Sequence, residues 1–210
     1  MTAPNEKPGA VRTPMQWTYA HALLFTGHMI DRSGRKAPRF PAAAEGRAQV
    51  AIDEAIRSIR NTLPGAMIGI AGAASGGDLL FHEVCAERGI PTLILLPLPV
   101  REYLAASVAP AGPAWERRFH DLLSRLGPEH VRFLGEGDGL YEGETANIWQ
   151  RANLWMLEQS LALAPERTLL AMWDGRTGDG PGGTEHLVEV AKRFGVHIAP
   201  ILDMQRIAGG

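Results

Sequence analysis

Ala66-Met67-Ile68-Gly69-Ile70-Ala71-Gly72-Ala73-Ala74-Ser75-Gly76-Gly77-Asp78 is an apolar run that breaks into a glycine-rich turn. Beyond it, Leu80, Phe81, Val84 and Cys85 recur at helical spacing until Gly89, so the segment reads as strand, turn and helix. The same alternation extends both ways. Upstream, His21 to Phe25 is a short apolar strand running into Thr26-Gly27-His28, and Ile52, Ala55, Ile56, Ile59 and Leu63 mark one face of a helix that Pro64-Gly65 stops. Downstream come apolar strands at Ile90 to Leu96, Val131 to Leu134, Thr168 to Trp173 and His197 to Leu202. Helical patterns separate them, with a break at Pro110 to Pro113 dividing the stretch from Val100 to Gly127 into two helices. Near-continuous apolar strands suit a sheet covered on both faces. The pattern predicts a single three-layer α/β domain over 17–205, with a mostly parallel sheet of about six strands, behind a flexible tail at 1–16.

Composition agrees with that class. The 210 residues are 45% hydrophobic and 21% charged with a net charge of -2, enough chain for one domain with a full core. The lone Cys85 leaves no intrachain disulfide and no thiolate cluster for zinc. The N-terminal stretch to Thr13 is polar, with no apolar segment of signal-peptide type, so a cytoplasmic location with no membrane attachment is the expectation. Three lysines and a near-neutral charge balance speak against nucleic-acid binding, whose affinity comes from neutralising several phosphates. Eighteen of the 21 basic residues are arginine, which leaves room for a local anion site made of guanidinium forks.

In doubly wound sheets ligands bind beyond the carboxyl ends of the strands, where the strand order reverses. Three loops fall there: Thr26-Gly27-His28, the turn from Gly72 through Ser75, Gly76 and Gly77 to Asp78, and the stretch from Asp174-Gly175 to Gly182-Gly183-Thr184-Glu185. Glycines let the backbone approach a ligand, and the helices starting near Asp78 and Thr184 offer N–H groups and a positive dipole end to a phosphate. The blander alternatives are a capping box at Ser75-x-x-Asp78, an N-cap role for the Thr184 hydroxyl and an Asx turn at Asp174. Asp78 and His82, four apart, could together hold a metal or a proton, or could bond locally. Arg32, Arg35 and Arg39 could fold over a phosphate or simply form a solvated basic loop. Trp149, Trp155 and Trp173 lie within helix or strand patterns and read as core.

The segment Ala71 to Asp78, with His82 four residues on, resembles the nucleotide site of DNA-processing protein A, departing from its pattern at Ala71 and Gly77. Asp179-Gly180-Pro181-Gly182-Gly183-Thr184 resembles the Pro-Gly-Gly-x-Gly-Thr motif of the Lonely Guy phosphoribohydrolases. Both belong to the SLOG superfamily, so the resemblance implies a Rossmann-like nucleotide-binding domain. Asp174-Gly175, Asp179 and Gly183-Thr184 are also similar to the nucleoside deoxyribosyltransferases. The hydrolases and transferases carry a glutamate three residues after the motif threonine, where this chain has Leu187.

That departure favours binding over cleavage. The resemblance implies a domain that binds and senses a nucleotide or a derivative such as an ADP-ribose-type signal, with no cofactor or metal required. Phosphates would rest on Gly76 to Asp78 and Gly182 to Thr184, and Asp174 would contact the sugar. The enzymatic alternative is hydrolysis or transfer at an N-glycosidic bond, with Glu185, Asp174 or Glu83 as the carboxylate, although no catalytic residue is assigned. A third reading is an interaction domain without a small ligand. A homodimer is the expected partner state.

Overall fold

The computed structural model describes residues 18–136, 138–139, 147–176 and 182–209. The expected tail at 1–16 and the 178–181 part of the second glycine-rich turn lie outside them. The elements run β1 (His21–Gly27), α1 (Glu45–Thr62), β2 (Met67–Ala71), α2 (Gly77–Glu87), β3 (Thr92–Leu96), α3 (Val100–Ser107) and α4 (Pro113–Leu126). They continue with β4 (Val131–Phe133), α5 (Ile148–Leu163), β5 (Glu166–Trp173), α6 (Thr184–Arg193), β6 (His197–Ile198), β7 (Leu202–Asp203) and α7 (Met204–Gly209).

The strand order is β4-β3-β2-β1-β5-β6, and every ladder between these strands is parallel. This is the expected α/β, Rossmann-like arrangement. β1 is the hinge of the topology, because the chain builds outward from it to β4 on one side and then returns to place β5 on the other. Alternation along β1 assigns its faces. Leu23 and Phe25 join Ile52, Ile56, Leu80, Phe81 and Phe119 in one core under α1, α2 and α4. Ala22 and Leu24 join Leu154, Leu157, Leu187 and Val190 in the other, under α5 and α6. The sheet is buried on both faces, which is why its strands read as unbroken apolar runs.

The position expected for one strand at His197 to Leu202 holds two short ones. β6 pairs with β5 at Thr168 and Leu169, and β7 pairs further along it at Met172 and Trp173. Pro200 between them has no N–H to continue the ladder. No helix among the described residues is long and apolar enough to cross a membrane.

The turn after β2 is shaped by backbone packing. Gly76 has φ of 100°, and a Cβ there would lie 2.4 Å from the Ile30 nitrogen and 2.8 Å from the His28 oxygen. Around it, the Ile30 N–H donates to the Ser75 oxygen at 3.0 Å and the Gly77 N–H to the His28 oxygen at 3.0 Å. The glycine turn is thereby stitched to the segment leaving β1. Gly76→Ala combines a left-handed conformation with a backbone clash and is expected to cost about 4 kcal/mol or more. Gly175→Ala, at φ of 74° in open space, should cost only about 1 kcal/mol. Urea unfolding of the two variants checks this, and equal losses would contradict the packing assigned to Gly76.

Candidate functional site

At the carboxyl ends of β1 and β5, where the strand order turns, the surface opens into a cleft of about 820 Å³. One wall is the loop after β1, contributing His28, Arg32, Arg35 and Arg39. This loop is a closed unit. The Asp31 carboxylate accepts the N–H groups of Arg39 and Phe40, each at 2.9 Å, while the Asp31 N–H donates to the Phe40 oxygen at 2.8 Å. Phe40 is fully buried and anchors the loop in the core.

Arg39 then reaches across to β5. Its Nε and Nη2 donate to the two Asp174 carboxylate oxygens at 2.9 and 2.6 Å, a bidentate pair with side chains only 11% and 4% exposed. Asp174 also accepts the Arg176 N–H at 3.1 Å. The His28 Nε2 lies 3.1 Å from Asp174 Oδ1 and 3.2 Å from the Asp174 nitrogen, contacts that alternate with the ring tautomer. Desolvation opposes the charge on Asp174, but Arg39, the Arg176 N–H and His28 outweigh it and hold the carboxyl below its usual range. Desolvation, with Arg39 adding to it, lowers the His28 pKa against the pull of Asp174, which favours the neutral ring.

The opposite wall combines Trp149, Asn153 and Met156 of α5 with Gly182, Gly183 and Thr184 at the start of α6. Thr184 is the first residue of α6 and Gly183 its N-cap, so the threonine does not cap the helix as one reading expected. Its hydroxyl instead accepts from the Thr26 hydroxyl at 3.3 Å, joining α6 to the end of β1. Glu185 lines the cleft in the same first turn.

The floor holds Gly72 and Asp78. A Cβ on Gly72 would sit 2.7 Å from Asp78 Oδ2 and 3.0 Å from the Tyr103 hydroxyl, so this glycine makes room for a carboxylate and a phenol. The Ser75-x-x-Asp78 capping box does not form. Ser75 is buried and its hydroxyl donates to the Ser107 oxygen at 3.2 Å, while Asp78 accepts the Ala74 N–H at 3.3 Å. Burial raises the Asp78 carboxyl to about 7, against the pull of that N–H. His82 bonds to the turn before its own helix. Its Nε2 donates to the Gly72 oxygen at 2.7 Å, and burial lowers its pKa to about 4, so the ring is neutral.

Of the residues singled out from the sequence, Thr26, Gly27 and His28 line the cleft, as do Gly72 and Asp78. Gly182, Gly183, Thr184 and Glu185 line it too. Ser75, Gly76, Gly77, Asp174 and Gly175 do not. The Gly77 N–H, expected to meet a phosphate, donates to the His28 oxygen at 3.0 Å. Asp174 likewise stands behind the cleft with its carboxylate engaged by Arg39. Glu83 is paired with Arg118 at 2.8 and 2.6 Å, away from the cleft. Trp155 is core, Trp149 packs against the core while also lining the cleft, and Trp173 lines the cleft, a correction to its reading as core. Sequence reasoning missed Asn153 and Tyr103 altogether. Their only signal was position on a helix beside a strand's carboxyl end.

No family model matches the chain, and no curated protein matches it. Among solved structures it is similar to the X-ray structure of DNA processing protein A (DprA) from Streptococcus pneumoniae, with 9% identity and a TM-score of 0.30 over 91% of this chain and 61% of that one. The chain thus spans about 61% of that protein's length. A likeness this distant carries no argument about ligand or activity.

Two expectations follow from the electrostatics. Removing either partner of the Asp174–Arg39 pair leaves a charge in a nearly dry place, so Asp174→Ala and Arg39→Ala should each cost about 3 kcal/mol, and the double variant less than their sum. Additive losses in a chemical-denaturation cycle would contradict this. Asp78 behaves oppositely. Its folded pKa lies above the ordinary 3.8 at about 7, so the folded state holds the extra proton and its stability falls as pH rises between those values. Asp78→Asn should therefore melt on the order of 5 °C higher than the wild type at pH 8, with the gap closing toward pH 4. A gap that widens on acidification would reverse the sign assigned here.

Proposed function

We propose that this chain binds a nucleotide or a nucleotide derivative of ADP-ribose type in the cleft and serves as a ligand-sensing domain. The observation that carries the reading is the pairing, in one cleft at the point where strand order turns, of three arginine side chains on one wall with Trp149 on the other. Guanidinium groups match phosphate oxygens in charge and geometry, and an indole face stacks on a base. A volume of about 820 Å³ lies within the range of small-molecule and cofactor sites, roughly 300–1,000 Å³.

This reading moves the phosphate. With the Gly77 N–H already bonded, the arginine loop is the better anion wall, and Asp174 acts by holding Arg39 in place. Binding without cleavage is supported by Leu187, which is fully buried in the core under α5 and α6. The position that bears a glutamate in the similar hydrolases and transferases here faces the core.

A second reading, an N-glycosidic hydrolase or transferase, is favoured by Asp78 and Glu185, both lining the cleft. An acid held near neutrality suits protonation of a leaving base. The other carboxylates considered for the role, Asp174 and Glu83, are engaged by Arg39 and Arg118.

A thermal-shift screen with AMP, ADP, cyclic nucleotides, NAD and ADP-ribose, followed by mass spectrometry of the ligand, tests both. At a hundredfold excess over Kd the protein gains about 2.7 kcal/mol, on the order of 5–10 °C. The ligand should be recovered intact. Arg32→Gln and Arg35→Gln should each weaken binding on the order of tenfold. Release of free base would establish the second reading, and no shift with any of these compounds would overturn both.

A further inference from the structure

The geometry points to Asn153 as the residue that selects the ligand: besides its phosphate, the molecule must present an N–H or O–H donor to the Asn153 Oδ1. This rests on the nucleotide reading above and deepens it. Asn153 lies on α5 four residues after Trp149 and three before Met156, and all three line the cleft. It is only 8% exposed.

The amide is held in one orientation. Its Nδ2 donates to the Gly182 oxygen at 2.9 Å, with the Gly183 oxygen at 3.5 Å on the same side, and lies 3.0 Å from His186 Nδ1. Turning the amide over would set Oδ1 against the Gly182 and Gly183 carbonyl oxygens, so acceptor and donor cannot exchange. Whatever Asn153 offers a ligand, it offers through Oδ1, as an acceptor.

That oxygen takes no bond among the described residues. Among the described residues, the buried side-chain atoms without a hydrogen-bond partner are His21 Nδ1, Asp31 Oδ1, His82 Nδ1 and Arg167 Nε. Asn153 Oδ1 is not one of them, and its residue lines the cleft. A built polar site with an open acceptor rejects molecules that bring no donor, because binding them would strip the oxygen of water without replacement. The neighbouring Glu185 carboxylate has the same preference. The cleft is therefore polarised, with cations along the 31–39 loop for an anion and oxygen acceptors along α5 and α6 for donors.

In a nucleotide such a donor comes from an exocyclic amino group of the base or from a ribose hydroxyl, and four probes distinguish them. Calorimetric titration of the full chain would compare ADP with purine riboside diphosphate, which lacks the 6-amino group, and with 2′-deoxy-ADP and 3′-deoxy-ADP. One analogue is expected to bind on the order of tenfold more weakly than ADP, and its identity names the donor. In Asn153→Ala that difference should fall to about twofold, because ADP itself then binds on the order of tenfold more weakly and the analogue is little changed. Asn153→Ser, which keeps a hydroxyl for the Gly182 oxygen, serves if the alanine variant does not fold. Equal binding of all four probes by the wild type, or undiminished discrimination in a folded variant, would overturn the role of Asn153 while leaving nucleotide binding intact. Failure of the wild type to bind any of the four would sink the nucleotide reading and this inference with it.

Discussion

The Asp174 carboxylate is the fixed point of the molecule's working edge. It stands just beyond β5, and through Arg39 and His28 it binds the segment that leaves β1, 135 residues earlier in the chain. A bidentate pair at 2.9 and 2.6 Å with almost no solvent contact is costly to assemble and costlier to half-dismantle. It therefore fixes where the 31–39 loop lies, and with it which side chains the cleft presents. The parallel register of β1 against β5, from His21 with Glu166 to Gly27 with Met172, sets the two strand ends level so that this contact can form.

A division of labour follows from that constraint. Asp174 and Asp31 are spent inside the loop's own framework, and the guanidinium groups outnumber them, so the β1 side of the cleft is electropositive. The α5–α6 side is the reverse, with Glu185 and the Asn153 acceptor. The positive end of the α6 dipole is partly offset by Glu185 in its first turn. Opposed walls of this kind orient an asymmetric ligand before any close contact is made, because its anionic end is attracted to one and repelled by the other.

The layers of the fold were legible because each strand and helix carries its own burial pattern. The apolar runs at Ala66 to Ala71 and Ile90 to Leu96, and the helical spacing of Ile52, Ile56 and Ile59, report local geometry that packing then uses. Pro200 broke the last strand by a chemistry equally visible in the sequence, although its effect on pairing depended on the neighbour. The candidate site was legible only as far as the rule that ligands gather at strand carboxyl ends. Glycine patterns cannot say what approaches the glycine: at Gly76 it is the backbone of His28 and Ile30, and at Gly72 it is the Asp78 carboxylate. Apolar periodicity cannot separate a tryptophan in the core, as Trp155 is, from one that lines a cleft, as Trp149 does. The Arg39–Asp174 pair leaves no local signal at all, since nothing near either residue depends on the other until the sheet is built.

We place the anion on the 31–39 loop and not on the glycine turn after β2. The most direct measurement is a nitrogen–proton correlation spectrum, assigned at the arginine Nε and backbone amide positions, followed as ADP is added. With the anion on that loop, the largest shift falls at the Arg32 Nε–H, smaller ones at Arg35 and Arg39, whose Nε–H groups already donate to the Ala37 oxygen and to Asp174, and the Gly77 amide changes little. Shifts centred on the Gly76 and Gly77 amides, with the three arginine signals unmoved, would contradict that placement.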